Sequence, residues 1–211
     1  TPQIDVIPPA SPESLLVNSG ENSLGLSWSQ VVDTDEDLAG YRVSYEQDGS
    51  VATTDIPLES ANLIDGQVAL EINSLAPATG YPLQITSYDH DGNQSEPING
   101  LGVTHLPNPA GLSAQPQSGK VDLTWAHSQP SELVKNYRVY AAAEPYTTVE
   151  GMEPRLSVNG GMTESGLAGL ENDTKYYVAV TAVNLSGGEK KSVSPIEVTP
   201  TDDFDGPEIE K

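Results

Sequence analysis

The 211-residue chain has no cysteine, one phenylalanine, three histidines and few basic groups: 9 Lys+Arg stand against 31 Asp+Glu, a formal net charge of −22. Without cysteine there is no disulfide framework, no thiol catalysis, no cysteine-ligated zinc and no iron–sulfur cluster. Without clustered Lys and Arg nothing can neutralise a phosphate backbone, so no nucleic-acid partner is expected, and anionic membrane surfaces are disfavoured by the same charge. No run approaches the roughly 18 apolar residues that a spanning helix needs, so no direct membrane insertion is expected. No basic and then apolar signal stretch opens the sequence, and Thr1 is read as a processed end or an artificially chosen boundary. His90, His105 and His127 are 15 and 22 residues apart, without a metal-type His-x-His or His-Glu-x-x-His spacing. No Gly-x-Ser-x-Gly elbow, phosphate-binding glycine loop or dinucleotide fingerprint occurs. The expectation is therefore no catalytic residue, no cofactor and no enzyme.

What is present is an apolar alternation and a duplication. The hydrophobic fraction of 36% is spread evenly enough to argue for folded domains despite the charge. The charge itself is uneven: residues 1–107 hold 16 acidic groups and a single basic one, Arg42, whereas residues 108–211 hold 15 acidic and 8 basic groups. An acidic excess of this kind keeps a surface soluble in a saline or extracellular setting.

Aligning the chain on its two tryptophans reveals the repeat. Leu24-Gly-Leu26-Ser-Trp28 is matched by Val121-Asp-Leu123-Thr-Trp125, and Tyr41-Arg-Val43 by Tyr137-Arg-Val139. Further on, Leu75-Ala-Pro-Ala-Thr79-Gly-Tyr81 and Leu170-Glu-Asn-Asp-Thr174-Lys-Tyr176 share the pattern Leu-x-x-x-Thr-x-Tyr. The tryptophans are 97 residues apart, so two copies of about 100 residues fit better than one large domain. Within each copy the apolar period is two, as in strands: Tyr81, Leu83, Ile85 and Ser87 share one face, as do Tyr176, Val178, Val180 and Ala182. Turn signals such as Asp91-Gly92-Asn93 and Ser186-Gly-Gly188 break the runs. Short strands at this spacing predict an all-β chain of antiparallel sandwiches.

These residues resemble the fibronectin type III family, twice over, and the resemblance covers nearly the whole chain. It implies two tandem immunoglobulin-like β-sandwiches: a lead at 1–7, a first domain at 8–105, a second at 106–200, and an acidic tail or linker at 201–211. Pro107 and Pro109 favour a short, extended joint between them. The implied core residues are Trp28, Tyr41, Leu75 and Tyr81 in the first copy and Trp125, Tyr137, Leu170 and Tyr176 in the second. Tyr81 and Tyr176 would form the family's tyrosine corner, with the hydroxyl bonded back to nearby backbone. Pro82 falls inside a central strand of that fold, so a bulge or a shortened strand is expected there. The long stretch from Ala143 to Leu156 is expected to protrude as a loop. Asp37-Leu-Ala-Gly-Tyr41 and Tyr88-Asp-His-Asp-Gly-Asn93-Gln-Ser95 look like versions found in secreted bacterial proteins.

The resemblance also brings Asp33-Thr-Asp35-Glu-Asp37 and Asp89-His-Asp91-Gly-Asn93 to one end of the first sandwich. Alternating oxygen ligands suit Ca²⁺, which makes Asp33, Asp35, Asp37, Asp89 and Asp91 its candidate ligands, although Asp and Asn also favour turns for reasons unrelated to metals. Three sequons, at Asn93, Asn172 and Asn184, are expected to be unmodified. The implied function is non-catalytic: spacing, presentation or protein–protein contact in a secreted, surface or periplasmic bacterial protein. Its partners would be other domains of a larger parent chain or another surface protein. The alternatives are an accessory module of a secreted hydrolase and a self-associating subunit of a surface assembly.

Overall fold

The two-residue apolar period is realised as fifteen short strands in the computed structural model, which describes residues 5–34, 36–47 and 49–202. The chain divides into two units, Thr1–Thr104 and His105–Lys211. The first contains β1 (Glu13–Ser19), β2 (Leu24–Ser29), β3 (Leu38–Gln47), β4 (Ser50–Pro57), β5 (Asn62–Ile64), β6 (Gln67–Ile72), β7 (Gly80–Asp89) and β8 (Ile98–Val103). They form two antiparallel sheets of order β1-β2-β6-β5 and β4-β3-β7-β8. The second contains β9 (Ser113–Gln117), β10 (Lys120–Thr124), β11 (Val134–Ala142), β12 (Leu156–Asn159), β13 (Glu164–Ala168), β14 (Tyr176–Asn184) and β15 (Ile196–Val198), in sheets of order β13-β10-β9 and β12-β11-β14-β15. Each unit is thus a sandwich, as the alternation requires. In β2, Leu24, Leu26 and Trp28 are buried, while Gly25, Ser27 and Ser29 between them are half-exposed.

Each core is built around an edge-to-face aromatic pair. Trp28 and Tyr41 have ring centroids 5.5 Å apart, and Trp125 and Tyr137 have theirs 5.6 Å apart. Leu75, Tyr81 and Leu170 are buried, whereas Tyr176, expected in the core, is only half-buried. A buried tyrosine must place its hydroxyl, and for the four tyrosines of these repeats the backbone supplies the partner. The Ala76 N–H donates to Tyr81 Oη at 2.8 Å and the Glu171 N–H to Tyr176 Oη at 3.1 Å, the same five-residue reach in both copies. The Val31 N–H donates to Tyr41 Oη at 2.9 Å and the Ser128 N–H to Tyr137 Oη at 3.0 Å. The two indole N–H groups, in contrast, are buried without an acceptor, so the tryptophans are held by packing alone.

Two expectations are corrected. β7 runs unbroken through Pro82, which pairs with Leu101 of β8, and there is no bulge at that point. The ladder between β7 and β3 ends at Tyr45↔Leu83, one residue short of Pro82, so the missing N–H leaves no gap in it. The register shift lies instead at the start of β3, between Leu38 and Gly40, and recurs at the start of β11, between Val134 and Asn136. Gly40 is required there, because a Cβ would come 2.3 Å from the Ile56 carbonyl oxygen.

The second correction concerns the stretch between β11 and β12, which does not protrude. It folds down onto the outward face of β11 and β14. Val149 within it is fully buried, and Tyr146 Oη donates to the carbonyl oxygens of Tyr140 (3.2 Å) and Tyr177 (3.3 Å). Residues 147–149 pair with 191–193: the Val149 N–H bonds Lys191 O and the Val193 N–H bonds Thr147 O, each at 2.9 Å. Burial raises the Tyr146 hydroxyl to a pKa of about 12. Two apolar anchors and a borrowed stretch of ladder overcome the chain entropy that would favour an extended loop.

Trp125→Ala removes the central ring of the second core and is expected to cost about 3–5 kcal/mol. Denaturant unfolding monitored on the full chain should then show an early transition confined to the second unit. A near-neutral effect would contradict the placement of Trp125.

Candidate functional site

The chemistry-bearing side chains gather in two places, one in each unit. In the first unit the loop leaving β2 meets the turn between β7 and β8, joined by the His90 N–H, which donates to the Asp37 carbonyl at 3.1 Å. Carboxylate oxygens of Asp5, Asp37 and Asp89 lie within 4.8 Å of one another there. Asp5, from the lead segment, was not among the sequence candidates, and nothing in its surroundings in the sequence marks it. Of the candidates, only Asp37 and Asp89 join this group. Asp35 lies outside the described residues. Asp33 is turned back on its own loop, accepting from the N–H groups of Asp37 (3.3 Å) and Leu38 (3.1 Å). Asp91 is exposed and lends the turn its backbone N–H.

Asp89 is buried and closes the turn. The backbone N–H and the side-chain Nδ2 of Asn93 donate to its two carboxylate oxygens, each at 2.8 Å. Burial alone would raise its pKa, but these bonds, with those from the Gly92 and Asp91 N–H groups, hold it below the usual carboxylate value. The second unit builds the same turn without a charge. The Gly188 N–H donates to Asn184 Oδ1 at 2.8 Å, and the Asn184 N–H returns to Gly188 O at 2.9 Å. The Leu185 N–H donates to Leu133 O at 3.0 Å, where the first unit has His90 and Asp37. Position 89 therefore requires an acceptor, which Asn184 supplies as a neutral amide. Of the three sequon asparagines, Asn184 is fully buried, Asn93 is bonded to Asp89 and Asn172 accepts from the Gly119 N–H.

Asp37 is the strained member. Burial raises its pKa, and a hydrogen bond with Asp5 and the negative charges of Asp5, Asp33 and Asp89 raise it further. This crowding of oxygens is the one place among the described residues where three carboxylates could share a cation.

In the second unit Glu189 is buried, and sequence reasoning missed it. Its Oε1 accepts from Tyr140 Oη (2.8 Å) and Thr181 Oγ1 (2.5 Å), and its Oε2 from Arg138 Nη1 (2.6 Å) and Lys191 Nζ (2.7 Å). Burial pushes Glu189 up, but the bonds from Lys191, Thr181 and Tyr140 bring it below the usual value. The Tyr140 hydroxyl, buried and facing the carboxylate, rises to about 12. Arg138 and Arg42 occupy matching places in the repeat, yet Arg42 makes a bidentate pair with Asp55 on the neighbouring strand, at 2.6 and 2.8 Å. The strand period puts Arg138 and Tyr140 on one face. The fold-back of residues 143–155, which bonds Tyr146 to the Tyr140 carbonyl, leaves no pattern in the sequence.

The two clusters respond oppositely to pH. Asp37 binds its proton more tightly folded than unfolded, so its contribution favours folding at low pH and is lost as pH rises through its raised pKa. Asp37→Asn, which keeps a donor for Asp5 and has no charge, should raise the melting temperature of the first unit at pH 7. The gain should vanish near about pH 3, where the wild-type carboxyl is protonated. Glu189 has a lowered pKa, so its contribution is present at neutral pH and lost as pH falls through that value. Glu189→Ala leaves two buried hydroxyls without an acceptor and should cost the second unit about 2–4 kcal/mol at pH 7. The ion pairs add little to this loss, because Arg138 and Lys191 are each 36% exposed and solvent screens them. Calorimetry across pH checks both.

Comparison with known proteins bears on both units. The family model described as Fibronectin type III domain matches residues 10–100 and 107–199. Tyrosine-protein phosphatase Lar-like of Caenorhabditis elegans is 26% identical over 155 residues, 71% of this chain and 7% of that protein, so the chain spans only a small part of this relative. Among solved structures, the chicken CNTN1 FN1–FN3 domains superpose with a TM-score of 0.55 at 20% identity, covering 92% of this chain and 66% of that one. A two fibronectin type-III domain segment from chicken tenascin gives a TM-score of 0.41 at 22% identity, covering 90% of this chain and 99% of that one. The curated relative is a nematode protein, and the bacterial type expected from the loop motifs is not shown. With the family's pattern matched in both repeats and its sandwich formed in both units, the chain belongs to the fibronectin type III domain family, in two tandem copies.

Proposed function

We propose that these two modules are a non-catalytic spacer and protein-contact segment of a larger secreted or surface protein. Modules of this family generally act as non-catalytic interaction or spacer domains. The observation that carries the reading for this chain is how its polar groups are used. Asp33, Asp89 and Glu189, and the hydroxyls of Tyr41, Tyr81, Tyr137 and Tyr176, are bonded to the chain's own backbone and side chains, where they close turns and seat the core. Groups committed in this way position a scaffold. The phosphatase named above matches over its fibronectin type III regions, so its name brings no active site here. Bacterial origin stays part of the proposal on the loop motifs alone.

The fold is also proposed to need no metal. Reductant and EDTA should leave the melting temperature of the purified chain unchanged. A fall above about 5 °C with EDTA, worth roughly 1 kcal/mol in a domain of this size, would assign a structural cation to Asp5, Asp37 and Asp89. A panel of ester, glycoside, phosphoester and peptide substrates should show no turnover, and robust turnover would overturn the reading.

A further inference from the structure

Strands at the end of a sheet leave one row of N–H and C=O groups without a ladder partner, and stable folds protect them. In this chain most are protected. β5, β12 and β15 are three or four residues long, β9 contains Pro116, and β1 is irregular between Glu13 and Leu16. β4 is different. With eight residues it is the longest terminal strand among those described, and it pairs with β3 in unbroken register from Gln47↔Ser50 to Gly40↔Pro57. Its sequence, Ser50-Val-Ala-Thr-Thr-Asp-Ile-Pro57, is rich in β-branched residues and contains no lysine.

Pro57 fixes which groups face outward. It has no N–H, yet holds a ladder position opposite Gly40, so it stands where the N–H direction points away from β3. Alternation then turns the backbone N–H and C=O of Asp55, Thr53 and Val51 outward too, and all three residues are exposed. The surroundings are acidic. Glu46, opposite Val51, is exposed, as is Glu59 just beyond the strand, and Arg42 is already held by Asp55. Arg42 is also the one Lys or Arg in residues 1–107, against 16 acidic groups.

We infer that β4 is a docking edge for an extended cationic polypeptide segment of a partner, which adds as a further strand beside it. Backbone pairing with residues 51–55 supplies the contact, and the acidic surround selects a strand bearing Lys or Arg. A second copy of this chain would bring its own acidic first module to the edge and is the poorer occupant. The inference rests on the protein-contact reading above.

The test uses the full chain, ¹⁵N-labelled, with an octapeptide of alternating Lys and Val as probe. Saturable shifts centred on the amides of residues 50–56 are expected, together with loss of binding when the peptide is N-methylated on its pairing edge and when Glu replaces Lys. Thr53→Pro removes an outward N–H and spares the β3 ladder, so it should weaken binding about tenfold while the spectrum stays folded. Should that variant unfold, the N-methylated peptide still decides the matter on the wild-type chain. Equal binding of the N-methylated peptide, shifts confined to the acidic loops at 33–37 and 89–93, no binding, or peptide-free dimerisation through residues 50–57 would each overturn the edge assignment. None of these touches the non-catalytic reading, which only turnover overturns.

Discussion

A tyrosine ring buried against a tryptophan brings a hydroxyl into a place where water cannot follow, and an unpaired hydroxyl there costs about 1–3 kcal/mol. Both units meet this constraint in the same way. The Tyr41 and Tyr137 hydroxyls accept N–H groups from the residue three beyond each tryptophan, Val31 and Ser128. The bond links strands of the two opposed sheets through one ring, so the aromatic packing and the departure of the loop are fixed together. Tyr81 and Tyr176 do the same at the turn before β7 and β14, through Ala76 and Glu171. The loops that carry the polar side chains are thus set by four hydroxyls that sit in or beside the core.

With that frame fixed, each loop fills its remaining acceptor position with whatever side chain reaches it. The turn closed by Asp89 and Asn93 in the first unit is closed by Asn184 and Gly188 in the second, with matching bonds. The arginine that follows the core tyrosine pairs with a carboxylate on the adjacent strand in one unit and with one from the β14–β15 connection in the other. The geometry is common to both copies and the charge is local. Much of the first unit's acidity is therefore a surface property laid over a frame that does not need it, and at Asp37 it opposes that frame.

The duplication and the strand period were legible in the sequence, because each follows from residue type at fixed spacing: a Trp on an alternating run, a Tyr five residues beyond its own backbone partner. Of the eight expected core residues, seven are buried and Tyr176 is only half-buried. What escaped depends on contacts between segments distant in the sequence. Pro82 reads as a fault in a central strand, but whether it is one depends on where the neighbouring ladder ends, and that ladder stops at Leu83. The stretch from 143 to 155 reads as a protruding loop because the groups that anchor it, the carbonyls of Tyr140, Tyr177 and Lys191, lie in other segments of the chain. Glu189 reads as one acid among 31, and only the fold brings Arg138, Tyr140, Thr181 and Lys191 around it. Asp5 joins Asp37 and Asp89 across more than eighty residues of chain for the same reason.

The charge has one further consequence, visible when the two units are compared strand by strand. The second unit, with 8 of the 9 basic residues of the chain at or beyond residue 108, has short or proline-bearing terminal strands on three of its four edges. The first leaves β4 long, regular and free of lysine. An unguarded edge would ordinarily invite pairing between copies. Here like charge opposes such pairing, because bringing two such edges together brings two strongly acidic modules together. Repulsion of this kind acts on net charge and ignores hydrogen-bonding capacity, so it disfavours copies of the chain at this edge while leaving the outward backbone groups of β4 open to a cationic strand. A lysine on the strand would block every partner alike. Acidity around the strand blocks acidic partners only, and it does so most strongly at low ionic strength, where the Debye length is largest.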